Sequence, residues 1–210
     1  APWTDPDPEA VRDALLEGIA REGVGALPWD RETRQLQERL VFLHRLDPAW
    51  PDVSDAALAA ALPEWLGPHV HGLRRVSDLR PTDVRAALLA LLPWDRRQAL
   101  DELAPTHLAV PSGSRITIDY SDPEAPVLAV RLQEVFGLTR TPRLARGRVP
   151  LTLHLLSPAG RPVQVTRDLE SFWRSTYFEV KKDLKGRYPK HYWPDDPLTA
   201  TPTHRVRPRG

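Results

Sequence analysis

The first half of the chain repeats apolar positions every three or four residues. Val11, Ala14, Leu15, Gly18 and Ile19 predict a helix closed by Gly23 and Gly25. Leu36, Leu40 and Leu43, with Val41 beside them, predict a second over about 30–46. Ser54 is placed as the N-cap of a third, which carries Leu58, Leu62, Trp65 and Leu66. Pro63 falls inside that stretch and predicts a kink or an early end. A fourth helix is expected over about 82–92, with Val84, Leu88, Leu91 and Leu92 on one side. The string Leu27-Pro28-Trp29-Asp30-Arg31 recurs as Leu92-Pro93-Trp94-Asp95-Arg96. Proline before a helix and aspartate at its positive end suit a helix start. The two tryptophans are expected to staple those starts to the core.

Near Pro105 the period changes from helical to alternating. Arg115-Ile116-Thr117-Ile118-Asp119-Tyr120 predicts a half-buried strand. The run from Val127 through Gly137 reads either as a strand or as a helix ending at Gly137. Two strands, over about 149–156 and 162–166, are joined through the turn residues Ser157-Pro158-Ala159-Gly160-Arg161, predicting a hairpin. The last long segment is a helix with Asp168 as N-cap, an apolar stripe of Leu169, Phe172, Trp173, Thr176, Val180 and Leu184, and Gly186 as its stop. The fold class is therefore α+β: an N-terminal helical subdomain, residues 1–104, then a small mixed α/β subdomain, residues 105–210, with an antiparallel hairpin and a long C-terminal helix.

Charge sharpens this division. The chain carries +1 overall, but residues 1–104 sum to −6 and residues 105–210 to +7. The basic half is the part suited to a polyanion. All the lysines lie at its end: Lys181, Lys182, Lys185 and Lys190. Arg174, Phe178, Lys181 and Lys185 follow at spacings of four, three and four, which places them on one helix face with Lys182 beside it. Beyond Gly186 come Arg187, Tyr188, Lys190, His191, Tyr192 and Trp193, stiffened by Pro189 and Pro194. Two readings stand. The lysines either complement the negative end of the helix dipole, or, with the rings, grip phosphates and stack bases. Under the second, Arg174, Lys181, Lys182, Lys185, Arg187 and Lys190 meet phosphates, and Phe178, Tyr188, Tyr192 or Trp193 stack. Arg161, Arg146 and Arg148 extend the patch if the hairpin lies near. About five such contacts on a single strand give a log–log salt slope near −3.5.

Several chemistries are excluded or unsupported. With no cysteine there are no disulfides and no cysteine-ligated zinc. No P-loop, dinucleotide fingerprint, nucleophile elbow or His-Glu-x-x-His is present. His69 and His71 alternate as two ligands on a strand would, but no third lies near in sequence, so no metal is expected. Pro111-Ser112-Gly113-Ser114 reads as a turn, and no catalytic residue is assigned. No apolar run approaches the ~18 residues that span a bilayer. Residues 1–10 are acidic and proline-rich, unlike a secretory leader. An opening at Ala1-Pro2 fits a processed start or, the reading preferred here, a piece cut from a longer protein.

Five strings in series carry a family resemblance: Leu103-Ala104-Pro105-Thr106-His107, Pro111-Ser112-Gly113-Ser114-Arg115-Ile116, Leu128-Ala129-Val130-Arg131-Leu132-Gln133-Glu134-Val135-Phe136-Gly137, Leu155-Leu156-Ser157-Pro158-Ala159-Gly160-Arg161-Pro162 and Gly186-Arg187-Tyr188-Pro189-Lys190-His191. With Trp50-Pro51-Asp52-Val53-Ser54-Asp55 and Leu91-Leu92-Pro93-Trp94 upstream, the chain resembles the C-terminal region of bacterial HrpB-type ATP-dependent helicases, relatives of the DEAH-box RNA helicases. The resemblance implies an accessory domain of a cytoplasmic, ATP-dependent hydrolase. ATP and Mg belong to the parent helicase, and no cofactor is expected in this stretch. This stretch alone is not expected to be an enzyme. Its partners would be RNA or DNA and the helicase core domains of the same parent chain, with no membrane. A protein-interaction or docking module of the helicase is the alternative.

Overall fold

The computed structural model describes residues 5–209. Residues 1–4 and Gly210 lie outside the described residues, and with them the reading of the Ala1-Pro2 start. The chain divides into two units, Ala1–Asp101 and Glu102–Gly210.

The first unit is helical. Helix α1 (Pro8–Glu22) buries Leu15, Leu16 and Ile19 and stops at Gly23, whose φ of 89° suits glycine. Helix α2 (Arg31–Leu46) is capped by Asp30, which accepts from the Thr33 amide at 2.8 Å. Its buried face holds Leu36, Leu40 and Leu43 as expected, with Phe42 rather than Val41 completing it. The third predicted helix is two: α3 (Asp55–Ala60), capped by Ser54, and α4 (Leu62–Leu66). Pro63 sits in the first turn of α4, where its missing N–H costs nothing, so the break falls just before it, at Ala61. His69 ends a short 3-10 turn and His71 lies in the following turn, so the pair shares no strand face.

Helix α5 (Pro81–Ala90) buries Val84, Ala87 and Leu88, while Leu91 is turned outward. Helix α6 (Trp94–Leu103) follows. The repeated pentapeptide meets two fates. Trp29 donates its indole N–H to the Val24 carbonyl at 2.9 Å and lies under the Arg34 guanidinium at 4.2 Å. Trp94 is 73% exposed and staples nothing. The string sets the helix start in both places, but only the first copy has a neighbour to receive its ring.

The second unit is built on a five-stranded sheet ordered β1-β2-β3-β6-β7. The strands are β1 (His107–Ala109), β2 (Arg115–Asp119), β3 (Val127–Arg131), β6 (Thr152–Leu156) and β7 (Pro162–Thr166). All neighbours are antiparallel except β3 and β6, which run parallel from Val127↔Thr152 to Arg131↔Leu156. Ile118, Leu128, Val130, Leu153 and Leu155 form its buried face. The expected hairpin is β6–β7. A parallel pair needs a crossover, commonly a helix. Here it is a 3-10 turn (Leu132–Val135) and a small ladder, β4 (Arg143–Leu144) with β5 (Val149–Pro150). The ambiguous run at Val127 is thus a strand and then a 3-10 turn, closed by Gly137 at φ 85°.

The Ser112 and Ser114 hydroxyls both donate to the buried Glu134 carboxylate, at 3.1 and 2.5 Å. That ties the β1–β2 turn to the crossover.

Candidate nucleic-acid interface

After β7 the chain forms one continuous helical rod: α7 (Leu169–Ser171), a π-helical turn (Phe172–Thr176) and α8 (Tyr177–Arg187). Asp168 caps it, accepting from the Ser171 amide at 3.0 Å. Gly186 does not stop it. The rod runs through Gly186 to Arg187, and Tyr188 is the C-cap at φ −128° and ψ 61°. The cause is Pro189, which keeps the residue before it out of the α region.

The π turn changes which side chains face inward. Leu169, Phe172 and Trp173 are buried as the spacing predicts. Thr176, the last residue of the turn, and Val180 beyond it are only half-buried, while Tyr177 and Leu184 are buried. One extra residue per turn rotates everything downstream by roughly 100°. Lys181 rotates with it. Its side chain is 15% exposed and pairs with Asp195. That ammonium, through its hydrogen bond first, holds the Asp195 carboxyl below the usual carboxylate range.

The outer flank of the rod therefore reads Glu170, Arg174, Phe178, Lys182 and Lys185, all exposed, at steps of four, four, four and three. Phe178 is 49% exposed. Arg174 lies 3.7 Å from Glu170, and Arg187 lies 2.7 Å from Asp183. Among the described residues, Lys182, Lys185 and Lys190 have no carboxylate within ion-pair distance.

The aromatic loop is largely folded on itself. Trp193 donates to the Tyr188 carbonyl at 2.8 Å, and the Tyr188 and His191 rings meet edge to face at 5.7 Å. Tyr192 packs edge-on against Phe136 at 6.0 Å. The loop is braced from behind: the Tyr192 amide donates to the Val206 carbonyl at 3.0 Å, and Arg207 Nε donates to the Lys190 carbonyl at 3.0 Å. Tyr188, Tyr192 and Trp193 are half-buried, whereas the Lys190 side chain is exposed.

Three further arginines belong to other elements than the rod. Arg161 is exposed at the β6–β7 turn, and Arg148 is exposed at the β4–β5 turn. Arg146 makes a two-pronged pair with Glu102, at 3.1 and 3.2 Å. Sequence reasoning missed Tyr177 and Asp195. Tyr177 is fully buried and donates its hydroxyl to the Pro194 carbonyl at 2.6 Å. Burial, then the charge of Asp195, pushes that hydroxyl above the ordinary phenol range. No local signal marks either residue, because both act through a chain reversal.

The chain is similar to known proteins in sequence and in fold. Residues 65–197 match the family model described as ATP-dependent helicase C-terminal. The chain is 47% identical over 208 residues to the ATP-dependent RNA helicase HrpB of Escherichia coli (strain K12), covering 98% of this chain and 26% of that protein. Its fold is similar to the crystal structure of the E. coli DExH-box NTPase HrpB, with a TM-score of 0.87 and 48% identity over 97% of this chain and 26% of the other. A second crystal structure, of the Escherichia coli DEAH/RHA helicase HrpB, matches with a TM-score of 0.74 and 45% identity over 92% of this chain and 25% of the other. The chain thus spans about a quarter of the length of these relatives.

Proposed function

Because the chain belongs to the ATP-dependent helicase C-terminal family, we propose that it is an accessory region that helps its parent helicase hold nucleic acid. The observation that carries the reading is the outer flank of the rod. Phe178 offers an exposed ring between Arg174 and the unpaired Lys182 and Lys185. A ring on a charged face serves stacking, and cations beside it serve phosphates. The relative's name specifies an RNA helicase, so RNA is placed ahead of DNA. ATP and Mg belong to the rest of the parent chain. The residues here do not fit them: there is no P-loop, and among the described residues no cluster of His, Asp or Glu could hold a metal. A cytoplasmic setting accords with such a role. No helix among the described residues is long and apolar enough to cross a membrane.

With Lys181 committed to Asp195 and the exposed Arg187 held at 2.7 Å by Asp183, the cations left for phosphate are Arg174, Lys182, Lys185 and Lys190. Their neutralisation on a single strand gives a log–log salt slope near −2.8. Fluorescence anisotropy of a labelled oligouridylate, titrated with the full chain at several salt concentrations, measures it. The K182E/K185E variant is expected to lose about tenfold or more in affinity at low salt, with an unchanged melting temperature. Unaltered binding by that variant would remove the rod from the interface.

A second reading, docking on the helicase core domains, is favoured by Trp94 at 73% and Leu91 at 37% exposure. Large exposed aromatics commonly anchor interfaces. Under it, Trp94→Ser weakens capture of separately expressed core domains by about tenfold or more, while oligouridylate binding stays the same. Equal capture by the variant would dismiss Trp94 as an anchor.

A further inference from the structure

The crossover between β3 and β6 is pinned to the foot of the rod. The Thr141 hydroxyl donates to the Arg167 carbonyl at 2.8 Å and accepts from the Leu169 amide at 2.9 Å. A groove of about 530 Å³ opens there, lined by Arg140, Thr141, Arg143, Arg167, Asp168 and Glu170. Its arginines are held by neutral groups. Arg167 donates to the Thr152 hydroxyl at 2.9 Å and the Glu124 carbonyl at 3.3 Å, and Arg143 donates to the Gly147 carbonyl at 3.1 Å. Among the described residues, none of Arg140, Arg143 and Arg167 has a carboxylate within ion-pair distance. Two acids line the groove as well, and both have partners on the rod: Asp168 caps it, and Glu170 lies 3.7 Å from Arg174.

Three arginines line this one groove with no carboxylate paired to them, so an anion entering it meets excess positive charge. The planar guanidinium fork matches phosphate oxygens two at a time. The place of the groove then selects the kind of phosphate. Glu170, one of its lining residues, begins the same flank that continues through Arg174 and Phe178 to Lys185, roughly 20 Å along the axis. We propose that this groove binds backbone phosphates of the strand whose other part lies along the outer flank of the rod. The inference rests on the nucleic-acid reading above and extends it to a second anchor, Arg140, Arg143 and Arg167.

The test uses the full chain and a labelled oligouridylate of about 16 nucleotides, long enough to reach both ends. R140A/R143A leaves Arg167 and its hydrogen bonds in place. With the three groove arginines added to those four cations the parent slope becomes about −4.9, and the variant is expected to weaken binding about tenfold at low salt and to make that slope shallower by about 1.4, two contacts' worth. R140K/R143K keeps the charge and is expected to hold the slope while losing part of the affinity, a pattern that a purely structural role does not produce. If R140A/R143A leaves slope and affinity unchanged while K182E/K185E abolishes binding, the groove proposal fails and the rod reading stands. If R140A/R143A loses only the stabilisation given by inorganic phosphate, with the oligonucleotide slope unmoved, the site takes free phosphate and the strand assignment is overturned. If the parent chain does not bind the oligonucleotide at low salt, both readings fall.

Discussion

Phe136→Ala is expected to destabilise the second unit by about 3–5 kcal/mol, the range for emptying a buried aromatic site. Phe136 is fully buried. Its ring meets Trp173 at 6.1 Å, Tyr177 edge-on at 6.3 Å and Tyr192 edge-on at 6.0 Å. Two of those partners sit on the rod and the third on the aromatic loop. Each such pair adds about 0.5–1.5 kcal/mol beyond area burial. The surroundings have little freedom to close the gap, because each partner is tied elsewhere. The Trp173 indole donates to the Leu138 carbonyl at 2.7 Å, and the Tyr177 hydroxyl is bonded to Pro194. Just after Phe136, the Gly137 amide donates to the Pro197 carbonyl at 2.9 Å. Chemical denaturation of the variant and the parent chain measures the loss. Phe136→Leu, which keeps most of the volume, should lose clearly less. A loss below about 1 kcal/mol for the alanine variant would mean that this ring does not hold the rod and the loop in place.

Trp65→Ala carries the next largest expected effect, also about 3–5 kcal/mol, in the first unit. Trp65 is 4% exposed, and its indole N–H donates to the buried Leu58 carbonyl at 2.9 Å. That carbonyl lies near the end of α3, just before the helix breaks at Ala61. The indole thus does two things, filling the core and serving a carbonyl at the break. Trp65→Phe separates them. It keeps a large ring but strands the carbonyl, at a cost of about 1–3 kcal/mol. Equal stability of the phenylalanine variant in urea would show that the hydrogen bond contributes nothing.

Elements governed by local chemistry were legible in the sequence. Ser54 and Asp168 each cap the helix expected of them, and Asp30, read as an acid at a helix start, caps α2, because a cap needs only its own side chain and an amide two or three residues on. The β6–β7 hairpin followed from its turn residues. The family was legible too, since long strings in fixed order carry more information than any one motif. What escaped depended on distant partners. The parallel pairing of β3 with β6 is a choice of neighbour, which no periodicity within either strand encodes. Trp29 and Trp94 sit in identical strings and differ only in what surrounds them. Of the candidate site, Arg174, Phe178 and Lys185 were legible as a helix face with Lys182 beside it, whereas Lys181, expected on that face, is turned to Asp195 and Lys182 takes its place. The tie between Lys181 and Asp195 was not, because it depends on the loop doubling back. Arg140, Arg143 and Arg167 were not singled out, because a crossover and a strand end bring them together.

The π turn at Phe172–Thr176 has a consequence for how this surface could change over time. Lys181 and Lys182 are chemically the same residue, yet one is a structural strut and the other is open to a ligand. Nothing in the lysines decides this. It is decided by the phase of the backbone upstream, set by a single additional residue. Losing that residue would bring Lys182 to the place Lys181 now holds and Asp183 to the outer flank, and gaining another would turn the flank again. The rod works as a dial with steps of roughly 100°. A family that keeps its charges but adds or removes one residue at this turn would aim the same grip in a new direction.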